Sequence, residues 1–99
     1  MATFYKIEAY DQDGRDSEDV LNSYNLYTTF EKACDAIDIE IQTLVNTYNL
    51  YVTEYEPIVY TPPNRESINK NWNRYLHYYE LAFPDACYLF VINKLTVVE

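Results

Sequence analysis

TTFEKACDAIDIEIQTLVNTY, residues 28–48, shows the spacing of apolar side chains that is typical of an amphipathic helix. Thr28 and Glu31 have the spacing of a capping box, in which the threonine hydroxyl accepts from the Glu31 amide and the carboxylate bonds back. Ile39 and Val45 fall outside the apolar face. We therefore predict one long amphipathic helix over about residues 28–48, packed against a sheet. Its apolar face consists of Phe30, Ala33, Cys34, Ile37, Ile41, Leu44 and Tyr48.

A hairpin is predicted before this helix. Residues 3–10 alternate between polar and apolar positions, with the odd-numbered side chains on the apolar side, as in a half-buried strand. The only glycine, Gly14, follows Asp13, and an Asp-Gly pair is a strong signal for a hairpin turn. Residues 20–27 then read as the returning strand.

The segment after the helix is expected to be extended. Residues 50–56 have the composition of a strand, and Pro57, which has no amide hydrogen, predicts that this strand ends there or lies at an edge. Residues 58–63 end in two prolines and are expected to be extended as well. Residues 64–71 are polar and predict a long loop with room for a short helical turn.

The last third of the chain predicts a second hairpin. In residues 72–82 the spacing of apolar side chains suits a helix, but the aromatic β-formers and weakly helical asparagines favour a strand. Residues 87–98 have the clearest strand composition, and residues 83–86 would make the tight connection. We predict a single α+β domain over residues 1–99, in which the N-terminal hairpin and two or three C-terminal strands form an antiparallel sheet under the helix.

Composition and charge restrict the function. The chain has 99 residues and carries 16 acidic and 7 basic side chains, a formal charge of −9. Nucleic-acid binding requires clustered lysine and arginine, and anionic membranes attract basic surfaces, so neither is an expected direct partner. No apolar run is long enough to span a bilayer. The two cysteines, Cys34 and Cys87, have the spacing of neither a metal site nor a redox motif, and we expect a reducing, cytoplasmic location.

Candidate chemical sites are weak. Residues 11–19 form an acidic loop, and aligning Gly14 with the glycine of an EF-hand loop puts Ala9 and Val20 at the two anchoring ligand positions. The loop is therefore predicted to be a charged turn and not a calcium site, with weak cation binding as the alternative. His77 is the only histidine, and Cys34 lies on an apolar face, which disfavours a reactive thiolate. We predict no enzyme, metal or cofactor; a small enzyme or ligand carrier centred on His77 and Cys34 is the least favoured hypothesis.

Acidic and tyrosine residues are the unusual features. Residues 1–40 hold ten acidic and three basic side chains, and the chain has twelve tyrosines, a residue enriched at interfaces. We predict a non-enzymatic module that docks an acidic surface, rimmed by tyrosine, on the basic site of a nucleic-acid-handling protein, where carboxylates replace phosphates. The predicted partner-binding residues are Asp11, Asp13, Asp16, Glu18, Asp19, Asp35 and Asp38, with Tyr24 and Tyr27 as anchors.

Two further interpretations come from composition. A small, acidic, tyrosine-rich and almost glycine-free domain is of the kind that phages and viruses encode as inhibitors, which is an analogy of composition and not of motif. The alternative function is a structural or assembly subunit that forms homo-oligomers through strand edges and exposed tyrosines.

Overall fold

The computed structural model describes residues 2–14, 21, 25–68, 72 and 74–98 of the chain. These residues form one α-helix and a four-stranded antiparallel sheet, so the predicted α+β class is confirmed. No helix in the described ranges is long and apolar enough to cross a membrane. The elements are β1 (Ala2–Asp11), β2 (Leu26–Tyr27), α1 (Phe30–Tyr51), a 3₁₀ turn (Arg65–Ser67), β3 (Tyr75–Ala82) and β4 (Cys87–Val97).

The sheet has the order β2-β1-β4-β3, so the two ends of the chain form its centre. β1 and β4 pair over their whole length, from Ala2 opposite Val97 to Asp11 opposite Tyr88. β3 pairs with β4 at the edge, with a bulge between His77 and Tyr79. The prediction of strands over 72–82 and 87–98 is therefore confirmed, and the alternative of a second helix is wrong.

The first predicted hairpin is described in part. Its turn is closed by the Gly14 amide, which donates to the Asp11 carbonyl at 3.0 Å, and by the Asp13 amide, which donates to the Asp11 carboxylate at 3.0 Å. Gly14 has a φ of 77°, a conformation that favours glycine. In the predicted strand over 20–27 only β2 is a strand; the structure leaves residues 15–20 and 22–24 undescribed.

Both ends of the helix differ from the prediction. The cap is Thr29 and not Thr28, since the Thr29 hydroxyl accepts from the Lys32 amide at 3.1 Å. With the cap one residue later, Glu31 no longer stands three residues after it and cannot complete a capping box. The helix also continues to Tyr51, so the strand predicted over 50–56 is wrong; the Val52 amide caps the last turn by donating to the Tyr48 carbonyl at 2.8 Å.

The core lies between α1 and one face of the sheet. The helix contributes fully buried side chains at Ala33, Cys34, Ile37, Ile41 and Val45, which meet the buried face of β1 and β4. Val45 thus belongs to the core, although the spacing placed it outside the apolar face, whereas Leu44 and Tyr48 are half-buried. The buried residues of β1 and β4 on this face are Ile7, Ala9, Phe90 and Ile92.

The helix runs in the same direction as β1. At its start, Phe30 packs against Tyr5 with 6.4 Å between ring centroids, and against Trp72 at 5.4 Å. At its end, Tyr48 stacks on Phe83 of the connection between β3 and β4, at 4.4 Å. This stacking extends the helix beyond the predicted end, because packing stabilises helical turns more than local propensity does.

The chain then returns along the helix. The Asn49 side chain holds the backbone of Ile58 at two points, donating to its carbonyl at 2.8 Å and accepting from its amide at 2.9 Å. Residues 58–63, which were expected to be extended, contain neither helix nor strand and bring Tyr60 into the core. The 3₁₀ turn at Arg65 follows, where the loop over 64–71 was predicted.

Candidate functional site

Three carboxylates of α1 converge on one arginine. Glu31, Asp35 and Asp38 lie on one side of the helix, because side chains three and four residues apart are neighbours. The Arg65 guanidinium lies 3.2, 2.7 and 2.8 Å from their respective oxygens. We call these four residues the Arg65 cluster. The cluster neutralises part of the helix face that the sequence predicts to be an acidic surface.

Asp38 is the buried centre of this cluster. One of its oxygens accepts from the Arg65 guanidinium, and the other accepts from the hydroxyls of Tyr60 at 2.6 Å and Tyr78 at 2.7 Å. The side chain of Asp38 is only 17% exposed. Tyr78 faces the helix because it lies two residues after Leu76, on the core side of β3. The carboxylate of Asp38 therefore holds three segments of the chain together.

The two tyrosines that contact Asp38 are strongly perturbed. Burial raises the pKa of Tyr60, and the hydrogen bond to the Asp38 carboxylate raises it further. The same two causes, in the same order, raise the pKa of Tyr78. A phenolate at either position would be buried and would face a carboxylate. Both hydroxyls therefore act as protonated donors, which is a structural role.

The two residues of the predicted enzyme hypothesis lie on opposite sides of the sheet. Cys34 is wholly buried under the helix, and burial raises the pKa of its thiol to about 11, against a smaller opposing effect of Arg65. His77 lies opposite Val91 on the other side of the sheet, because Val91 alternates with core residues of β4. These positions keep His77 away from Cys34, so the two side chains do not form a nucleophile–base pair.

The uncovered side of the sheet carries a cleft of about 740 Å³. It is lined mainly by apolar and aromatic side chains of β1, β3 and β4, with few charges. Cys87 at its margin donates to Glu80 at 3.3 Å, and this hydrogen bond raises the pKa of the Cys87 thiol. The central lining residues are Tyr10, Tyr75, His77, Leu89 and Val91.

Three loops meet where α1 ends. The turn after Asp11 lies beside Tyr88, its partner in the sheet. Tyr88 contacts Phe83 in the loop over 83–86, with 6.1 Å between centroids, and this loop in turn packs on the end of the helix. The loop over 52–58 leaves the helix at the same place. We call this region the acidic end; its carboxylates are Asp11, Asp13, Glu54, Glu56 and Asp85.

The described basic side chains lie elsewhere. Lys32 and Arg65 are at the first turns of α1, and Lys94 pairs opposite Tyr5 near the other end of the sheet. The Arg74 carbonyl accepts from the Lys94 amide at 2.8 Å, which places Arg74 there too. Lys6, midway along β1, lies 3.7 Å from Glu8. Among described residues, the lysines and arginines are therefore separated from the acidic end, and the other end holds charges of both signs.

The helix reinforces this separation. Its C-terminus carries a partial negative charge, and its last turn contains no basic residue that would compensate it. The pKa of Tyr48 is raised, first by burial and then by the charges of Asp85, Tyr55 and Glu54. The acidic end thus combines fixed carboxylates with the negative pole of the helix.

A groove of about 290 Å³ opens at the acidic end, and we call it the Tyr55 groove. Tyr55 is 55% exposed and forms one wall, while Tyr48, held by its stacking on Phe83, forms another. Tyr51 and Leu50 are exposed beside the groove, outside its lining. The groove is lined by Tyr48, Val52, Glu54, Tyr55, Pro84 and Asp85.

The structure describes five of the nine predicted partner-binding residues, and it does not bring those five together. Asp11 and Asp13 lie at the acidic end. Tyr27 pairs with Tyr5, six residues back along β1, which is roughly 20 Å away at the rise of a strand. Asp35 and Asp38 belong to the Arg65 cluster. The other four lie outside the described residues: Asp16, Glu18, Asp19 and Tyr24.

Sequence reasoning missed the residues of the Tyr55 groove. Glu54, Tyr55 and Glu56 are visible in the sequence as an acidic and aromatic run, but this run was assigned to a strand. Its position becomes evident only when the helix continues to Tyr51 and the chain turns beside Asp85.

Comparison with protein-family models, with curated proteins and with solved structures finds no match to the chain.

Proposed function

We propose that the protein is a non-enzymatic interaction module that docks its acidic end on the basic site of a partner protein. The observation that carries this proposal is the concentration of carboxylates at the acidic end, away from the described lysines and arginines. A concentrated negative surface steers a basic partner and raises the rate of association. Exposed tyrosines beside the carboxylates offer large contact area with little side-chain entropy to lose.

A nucleic-acid-binding protein is the proposed class of partner, whose basic site the module would occlude. Sites that bind phosphates present clustered lysine and arginine. The carboxylates of the acidic end, spread over three loops, would occupy such a site in place of phosphates. The Arg65 cluster supports this orientation, because its guanidinium partly neutralises the carboxylates of the helix face.

Neutralising the acidic end is expected to weaken partner binding about tenfold, which is the effect of losing roughly 1.4 kcal/mol of charge complementarity. The variant is Glu54→Gln/Glu56→Gln. The control, Glu31→Gln/Glu66→Gln, has the same net charge but its changes lie at the other end of the helix. Both variants and the unchanged protein are immobilised, and partners are captured from cell extract at rising salt concentrations. The binding of a captured partner to nucleic acid is then measured with and without the free protein.

We expect to capture a partner that is released by rising salt. The acidic-end variant should bind this partner more weakly than the control variant does, and the free protein should displace the partner from nucleic acid. Equal binding by both variants, or capture that is indifferent to salt, would show that the acidic end is not the docking surface. Capture without displacement of nucleic acid would reject the class of partner.

The alternative function, self-assembly, is favoured by one observation. No described element covers the far side of the sheet, where Leu89 and Val91 line the cleft beside Tyr75. Sedimentation at micromolar concentration separates the two functions: a monomer removes the assembly function, whereas a stable oligomer that hides this cleft would replace the docking function.

A further inference from the structure

We propose that the Tyr55 groove receives an arginine side chain of the partner. This inference rests on the proposed function for the basic character of the partner and adds the kind of residue that is recognised. The groove, at about 290 Å³, lies at the lower limit of ligand pockets, so it accommodates one long side chain and not a larger ligand.

The walls of the groove suit a planar cation. Tyr48 is fixed by its stacking on Phe83, and the rigid ring of Pro84 also lines the groove. Tyr55 is half-exposed, so its ring is available to lie against a guest. A guanidinium stacks on aromatic rings and is more weakly hydrated than an ammonium, which makes arginine the better occupant between two tyrosines.

Charge complementarity points to the same occupant. Glu54 and Asp85 stand at the groove, and neither forms an ion pair with a described residue. The described lysines and arginines are at the other end of the fold or midway along β1. An arginine of the partner would supply a cation that the described residues do not place there. A guanidinium offers several N–H donors in a plane, which match carboxylate oxygens better than an ammonium does.

The test uses two fluorescein-labelled peptides, hexa-arginine and hexa-lysine, titrated with the whole protein and followed by fluorescence anisotropy. We expect the arginine peptide to bind about tenfold more tightly than the lysine peptide, which corresponds to a single stacked and charge-paired contact. Tyr55→Ala and Asp85→Asn should each abolish this preference, whereas Tyr55→Phe, which keeps the ring, should retain it.

Matched controls come from the same end of the molecule. Tyr51→Ala removes an exposed tyrosine outside the groove, and Asp13→Asn removes a carboxylate of another loop. Both should leave the preference for arginine unchanged. Since Tyr51 and Tyr55 are exposed, both alanine variants should keep the folded circular dichroism spectrum.

The outcomes separate this inference from the proposed function. The groove is not an arginine site if the two peptides bind equally and if Asp13→Asn weakens their binding as much as Asp85→Asn does. That result would leave the acidic end as a diffuse docking surface. Capture of a salt-sensitive partner whose binding ignores Tyr55→Ala would also overturn this inference. If the partner ignores Glu54→Gln/Glu56→Gln and salt as well, the proposed function itself fails.

Discussion

Replacing Asp38 by alanine is expected to lower the free energy of unfolding by about 2–4 kcal/mol, since two buried hydroxyls lose their acceptor at a cost of about 1–2 kcal/mol each. The change leaves the hydroxyls of Tyr60 and Tyr78 buried without their acceptor, and it takes from Arg65 its most enclosed carboxylate. An unsatisfied buried group costs its full desolvation, which exceeds the net gain from an ordinary hydrogen bond. Urea unfolding, followed by circular dichroism, measures the loss.

The control for this prediction is Asp35→Ala. Asp35 contacts the same guanidinium at 2.7 Å, but its side chain is 65% exposed, so we expect a loss of about 1 kcal/mol or less. Tyr60→Phe and Tyr78→Phe each remove one donor and should cost about 1 kcal/mol. An Asp38→Ala protein no less stable than Asp35→Ala would show that the buried network does not stabilise the fold.

Raising the pH above 10 is expected to destabilise the protein steeply. In the unfolded chain a tyrosine ionises near pH 10, whereas Tyr60 and Tyr78 hold their protons to higher pH in the folded protein. Their contribution to stability is therefore complete below pH 10 and is lost as the pH rises toward their folded pKa values. Each contributes a loss of about 1.4 kcal/mol per pH unit in that window. The loss begins earlier with Cys34, whose pKa is raised from 9.0 to about 11.

Urea unfolding at a series of pH values between 8 and 12 measures this decline. The double variant Tyr60→Phe/Tyr78→Phe should be less stable at pH 8 but should lose about 2.7 kcal/mol less per pH unit above pH 10. Phenolate absorbance gives an independent readout, since two tyrosines of the twelve should ionise only when the protein unfolds. If the stability of the double variant declines with the same slope, groups other than these two tyrosines cause the pH dependence.

Local patterns were sufficient for most of the fold. The alternation of residues 3–10 and the aromatic composition of 72–82 identify β1 and β3, because a half-buried strand needs only such a pattern. The ends of the helix could not be predicted as well. Two adjacent threonines are almost equivalent as caps, and the last turn depends on Phe83, whose position the periodicity of the helix does not reveal.

The site depended on contacts between distant residues. Counting charges placed Asp35 and Asp38 on an acidic surface, but Arg65, 27 residues after Asp38, folds back onto both. The bulge in β3 lets Tyr79 face the core beside Tyr78, against the alternation of the strand. Neither event leaves a periodic signal in the chain. The net charge of a segment therefore overstated the charge that this segment presents to a partner.

The bulge has a second consequence, for aggregation. β3 forms an outer edge of the sheet, and a long, regular edge invites the strands of other molecules to add and grow into fibrils. The bulge divides this edge into two short runs, 75–77 and 79–82, and increases the local twist. Neither run offers an incoming strand a long flat template. The irregularity that turns two adjacent tyrosines toward the core thus also hinders the addition of strands from other molecules.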